Sequence, residues 1–98
     1  MAIFAKPETQ AKRAMNLIIK HSSYNFSIVE SDLLIKSFTS LTIFIKSNRL
    51  SADGLRGVDE NILNKYLEFK STETTKNELL QERVAIETYM RVKKRIFG

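Results

Sequence analysis

The chain has 98 residues, 16 Lys+Arg against 11 Asp+Glu, and a net charge of +5. That length fits one domain with one hydrophobic core and little room for a deep catalytic cleft as well. With no Cys, disulfides, thiolate metal sites, Cys nucleophiles and iron–sulfur clusters are excluded. Three Gly and a single Pro are too few for a turn-rich all-β sandwich or barrel.

The charge is unevenly spread. Residues 1–50 carry seven basic and three acidic groups, residues 51–90 carry five and eight, and residues 91–98 carry four and none. Positive ends favour a polyanionic partner, because Lys and Arg release counterions when they meet phosphates. The opening MAIFAKPETQ has too short an apolar stretch for a signal peptide. The longest apolar clusters, at 33–35 and 43–45, fall far short of the roughly 20 residues of a membrane span. The expectation is a cytoplasmic protein of bacterial or viral origin.

In chain order, the first predicted helix runs from about Pro7 to His21. Pro7 is preorganised for a helix start, and Glu8 complements the N-terminal dipole. Ala11, Ala14, Met15 and Ile18 form one apolar stripe, with Lys12, Arg13 and Lys20 off it. Ser22-Ser23-Tyr24-Asn25 reads as a turn.

Ser27 and Glu30 have the spacing of a capping box and open a second helix. Leu34, Phe38, Leu41 and Ile45 recur at helical intervals along it. The same region is rich in β-branched and aromatic residues, and Leu41, Ile43 and Ile45 also alternate as a strand would. A small hairpin within 24–46, which would make the fold α+β, is the structural alternative. The helix is preferred because no Gly, Pro or hairpin turn signal interrupts some twenty residues.

Asn48 to Gly57 is a break, with a turn at Ser51-Ala52-Asp53-Gly54. A third helix begins at Asp59 as N-cap, stapled by Val58 and Leu63. Val58, Ile62, Tyr66 and Phe69 line its apolar side. After Ser71–Thr74, Thr75 and Glu78 have the spacing of a second capping box and open a long fourth helix, about Lys76 to Phe97. Leu79, Ile86, Tyr89, Met90, Ile96 and Phe97 share one arc of it, opposite Lys76, Arg83, Arg91, Lys94 and Arg95. Leu80 and Val84 lie on that polar side, either against a neighbouring helix or as an exposed patch. The expected fold is all-α, a single bundle of about four helices over residues 1–98.

Catalytic chemistry is not legible. The lone His21, beside Lys20 at a helix end, suits a dipole partner or a surface residue better than a general base. Nothing has metal-ligand spacing, and no cofactor motif is present. Gly54 and Gly57 bracket Leu55-Arg56 with a spacing seen in some backbone-phosphate clamps, although a plain turn is the simpler account. Arg91, Lys93, Lys94 and Arg95 exceed what capping a helix end requires, which points to phosphate contact.

Leu34, Phe38, Leu41 and Phe44 are spaced along the second helix. Leu55, Val58, Asp59, Ile62, Leu63, Tyr66 and Leu67 follow, and then Ser71, Thr75, Leu79, Ile86 and Tyr89. On these residues, the stretch from about 31 to 94 resembles the N-terminal core-binding, SAM-like helical domain of tyrosine recombinases, the phage integrase family. The resemblance implies a helical clamp on duplex DNA, with Thr75, Lys76 and Arg83 at the contacting positions. Ser37 or Leu34 stands where that family has Tyr, and no catalytic half is present, which implies an excised domain or a stand-alone relative.

The leading expectation is a non-catalytic module that binds duplex DNA through Lys12, Arg13, Thr75, Lys76, Arg83, Arg91, Lys93, Lys94 and Arg95. The alternative is an adaptor or inhibitor of phage or mobile-element type, docking on another protein through Leu80, Val84 and Phe97. A subunit of a larger assembly, with the fourth helix packed on copies of itself, is a third. No enzyme, metal, cofactor, small-molecule substrate or membrane contact is expected.

Overall fold

A computed structural model describes residues 6–22 and 25–97. Four helices result: α1 (Pro7–His21), α2 (Ile28–Ser47), α3 (Glu60–Lys70) and α4 (Lys76–Phe97), with a single 3-10 turn at Gly54–Gly57 between α2 and α3. The expected turn residues Ser23 and Tyr24, and the apolar stretch before Lys6, lie outside the described residues.

The helix starts follow from their caps. Ser27 and Glu30 form both halves of a capping box: the Glu30 N–H donates to Ser27 Oγ at 3.1 Å and the Ser27 N–H to Glu30 Oε1 at 3.3 Å. Asp59 accepts from the Ile62 N–H at 2.9 Å, and Thr75 from the Glu78 N–H at 3.3 Å. Each side chain satisfies a donor that the first helical turn leaves unpaired.

The hairpin alternative fails, because α2 is one uninterrupted helix of 20 residues. Its helical face Leu34, Phe38, Leu41 and Ile45 is buried throughout, whereas Ile43, which a strand would bury beside Leu41 and Ile45, is 49% exposed. The Thr residues that favour a strand are accommodated by back-bonding to the carbonyl four residues earlier. Thr39 donates to Ile35 and Thr42 to Phe38, each at 2.7 Å.

The α2 face meets Ala11, Ala14, Met15 and Ile18 of α1 on one side, and Ile86, Tyr89 and Val92 of α4 complete the core. Phe38 and Tyr89 pack ring to ring at 5.5 Å, tilted, and Phe44 meets Tyr66 edge-on at 5.5 Å. Burying each such side chain stabilises the fold by roughly 1.5–3 kcal/mol before chain entropy is counted. Tyr66 is fully buried, and its hydroxyl donates to Glu82 Oε1 at 2.6 Å, tying α3 to α4.

Two residues placed on apolar faces by periodicity sit outside the core. Phe69 is half exposed, although its ring still leans on Phe44 at 5.2 Å. Phe97 is 60% exposed at the end of α4, although Ile96 beside it packs against the core.

Candidate nucleic-acid interface

The end of α2 is where the site begins. α2 stops in a Schellman motif: the Leu50 N–H reaches back to the Ile45 carbonyl at 3.0 Å and the Arg49 N–H to that of Lys46 at 3.3 Å. This geometry forces Arg49 to φ 51°, the one non-Gly residue at positive φ among those described. Glycine usually takes this position, since a Cβ in left-handed backbone costs about 1–2 kcal/mol. Here an arginine holds it and projects from the bend.

The 3-10 turn after it is clamped from two sides. Gln10 Oε1 of α1 accepts the Leu55 N–H at 3.0 Å. Lys93 Nζ of α4 donates to the Arg56 and Val58 carbonyls, both at 2.7 Å. Gly54 has φ +60°, a backbone that favours glycine, and a Cβ there would stand 2.5 Å from Gln10 Oε1, so the Gln10 carboxamide would have to shift as well. The Arg56 guanidinium lies 5.4 Å from the Phe97 ring centroid in cation–π geometry.

Three adjoining clefts of about 380, 340 and 470 Å³ surround this clamped turn. The first is edged by Lys46, Arg49 and Ser51, the second by Arg13, Arg56 and Phe97, and the third by Arg56 and Lys94. Asp53 is the one carboxylate among the described residues that line them. The ion pairs among the described residues are Lys36–Asp32 and Arg83–Glu87, so no carboxylate of a described residue pairs with Arg13, Lys46, Arg49, Arg56 or Lys94. Five cations, from three helices, the bend after α2 and the 3-10 turn, thus rim a shallow surface. Such a surface can hold successive phosphate oxygens by charge and by arginine forks.

The residues expected from sequence divide into groups. Arg13 and Lys94 join this rim. Lys12 and Arg95 are exposed beside their helices and line none of the clefts. Lys93 is turned inward: burial lowers its pKa from the ordinary lysine value, Asp59 opposes that shift and Arg56 adds to it. Its ammonium is committed to two backbone carbonyls.

Thr75 caps α4, and Lys76 and Arg83 lie on its N-terminal half, with Arg83 Nε bonded to Glu87 at 2.9 Å. At 1.5 Å per residue, Lys76 is about 27 Å along α4 from Lys94, so the two ends of this helix present separate charges. Arg91 lines a different feature, an apolar groove of about 700 Å³ between α2 and α4 that also includes Leu80 and Val84.

Lys46, Arg49 and Arg56 went unselected in the sequence because each stands in or beside what reads as a helix end and a plain turn. The Gly54–Gly57 spacing was the available signal.

No helix among the described residues is long and apolar enough to cross a membrane, and those residues contain no metal-ligand cluster of three His, Asp or Glu. Comparison with known families, curated proteins and solved structures finds no match to this chain. The resemblance to the recombinase core-binding domain therefore rests on its residue pattern alone.

Proposed function

We propose that this protein binds duplex DNA without catalysing a reaction on it, through the phosphate backbone and by way of the cationic rim around the Gly54–Gly57 turn. The observation that supports this reading most is the convergence of Arg13, Lys46, Arg49, Arg56 and Lys94 on one clamped turn, with Asp53 the single carboxylate among the described lining residues. Arg49 adds to it: a cation held in left-handed backbone retains a local cost that a glycine would relieve.

Phosphate contacts position a protein on DNA but carry no base identity. Apart from Arg13 in the middle of α1, the rim consists of loop and helix-end cations rather than a helix presenting Asn, Gln and Arg to a major groove, so binding is expected to be indifferent to sequence. Single strands would call for exposed rings on which bases stack, and Phe97, the one exposed aromatic ring among the described lining residues, has the Arg56 guanidinium near it.

The test is a fluorescence-anisotropy titration with labelled random-sequence duplex at about 50 and 200 mM salt. With three to five phosphates engaged, affinity should fall roughly 40- to 500-fold across that range. Absence of binding at the lower salt would sink the reading and leave the rim as solubilising charge. The apolar groove is the observation that favours the other class of function, contact with a protein, and it uses a different set of side chains.

A further inference from the structure

We propose that the second cleft, between α1, the 3-10 turn and the end of α4, binds a nucleoside monophosphate. Arg13, Arg56 and the Tyr89 hydroxyl take its terminal phosphate, and the apolar floor beside Phe97 takes its base. Tyr89 is the key. Its side chain is 3% exposed, and its ring is fixed by Phe38 at 5.5 Å and by the Lys93 ammonium 5.8 Å from the ring centroid. Its hydroxyl nonetheless has no hydrogen-bond partner among the described residues, whereas that of Tyr66 is bonded to Glu82. No side-chain oxygen or nitrogen among those residues is both sealed from solvent and unbonded. The Tyr89 hydroxyl therefore opens onto the second cleft, which Tyr89 lines.

A phenol held this firmly, with no protein partner, is placed for an acceptor that enters from solvent. Its neighbours say which acceptor. Arg13 of α1 and Arg56 of the turn line the same cleft. Burial raises the Tyr89 phenol above its ordinary 10.0 and the charge of Arg56 opposes that rise, so the phenol stays protonated at neutral pH with a guanidinium in electrostatic reach. Three donor groups from three elements match the three terminal oxygens of a phosphomonoester, and two guanidinium charges match its near-dianionic charge. A carboxylate, or a phosphodiester inside a strand, offers only two such oxygens.

The other walls suit a base. Ala14, Leu17 and Leu55 make the floor apolar, and the exposed Phe97 ring stands beside it with Arg56 5.4 Å from its centroid. Asp53 supplies an acceptor for the amino group of a base or a hydroxyl of a sugar. At about 340 Å³ the cleft lies at the small end of ligand sites, which suits one nucleotide rather than a longer ligand.

The cleft shares Arg13 and Arg56 with the rim proposed for DNA, but Tyr89 belongs to this site alone, so the two readings fail separately. A terminal phosphate occurs both on a free nucleotide and at the phosphorylated end of a DNA strand, and the experiment distinguishes these sources. It is a calorimetric titration of the full chain with deoxyadenosine monophosphate, with deoxyadenosine and inorganic phosphate as controls. The expected Kd is about 10 µM to 1 mM, with each control at least roughly tenfold weaker. Tyr89→Phe and Arg13→Ala should each weaken binding by roughly tenfold or more. Because the hydroxyl bonds nothing within the fold, Tyr89→Phe should melt no lower than the wild type.

A blunt duplex with phosphorylated ends, compared with the same duplex without them, assigns the source. Tighter binding of the phosphorylated duplex that Tyr89→Phe abolishes supports strand ends, and equal binding of the two supports the free nucleotide. Failure of both duplexes to bind would sink the DNA reading and leave this site standing. No binding of deoxyadenosine monophosphate at about 5 mM overturns the proposal. So does binding that either control reproduces or that Tyr89→Phe leaves intact.

Discussion

Lys93 Nζ donates to the Val58 carbonyl at 2.7 Å across 35 residues of sequence, and the same ammonium holds the carbonyl of Arg56. The pair joins the last turns of α4 to the start of α3, fixing the turn that carries Arg56. A residue that looks from sequence like one more phosphate-binding cation is thereby the fastener of the surface on which other cations act. Lys93→Met should destabilise the protein by about 1–3 kcal/mol, because two carbonyls lose a charged donor. Urea denaturation checks this. Under conditions where the variant stays folded, the salt slope of DNA binding should be unchanged, whereas Lys94→Ala should lower that slope by about one.

Arg49 offers a prediction with two signs. Replacing it with Gly relieves left-handed backbone, and the expected gain is about 0.5–1 kcal/mol, partly offset by the greater chain entropy of glycine. DNA affinity should fall over the same substitution, with a salt slope lower by about one. Thermal melts and binding titrations on the same samples separate the two effects. A loss of stability in Arg49→Gly would mean that the side chain makes contacts beyond the Schellman bend.

Gly54 should not tolerate a side chain. At φ +60°, Gly54→Ala meets both left-handed strain and the Gln10 carboxamide, and a cost of at least about 1–2 kcal/mol is expected. In a Gln10→Ala background the steric part disappears and the backbone part stays, so the cost of Gly54→Ala should shrink without vanishing. A double-mutant cycle by chemical denaturation measures the difference.

The dependence of stability on alkaline pH follows from Tyr66. Burial raises its phenol pKa well above the ordinary 10.0, the hydrogen bond to Glu82 and that carboxylate's charge add to the rise, and a bond with Ser40 opposes it. Burial raises Tyr89 as well, against the charge of Arg56. A group whose pKa is raised on folding contributes stability that is complete below its unfolded value and is lost as pH climbs through the folded one. Stability should therefore decline above about pH 10, and Tyr66→Phe should flatten that decline. An unchanged decline in Tyr66→Phe would contradict the assignment.

Much of the fold is written locally. Ser27 with Glu30, and Asp59 before Ile62, mark helix starts through side chains that satisfy their own backbone, and the four-residue stripes of α1 and α2 become the core. What is not local was missed. Phe69 and Phe97 share an apolar arc with buried neighbours, but periodicity gives only an angle around a helix axis, not how closely another helix approaches at each turn. Lys93 does carry a signal: it lies four residues after Tyr89 and seven after Ile86, on the buried side of α4, and only its charge groups it with Arg91 and Lys94. Lys46, Arg49 and Arg56 come together because α1 and α4 clamp the turn after α2, a closure that no sequence window contains.

The central claim is that DNA is held at the clamped turn and not along α4. The most direct test compares two charge-matched variants, Arg49→Ala/Arg56→Ala/Lys94→Ala and Lys76→Ala/Arg83→Ala/Arg95→Ala, by anisotropy with a random duplex at about 50 and 200 mM salt. The first should lose most of the affinity and about three units of salt slope, and the second should bind nearly as the wild type does. Equal losses in both, or a larger loss in the second, would contradict the placement of the site.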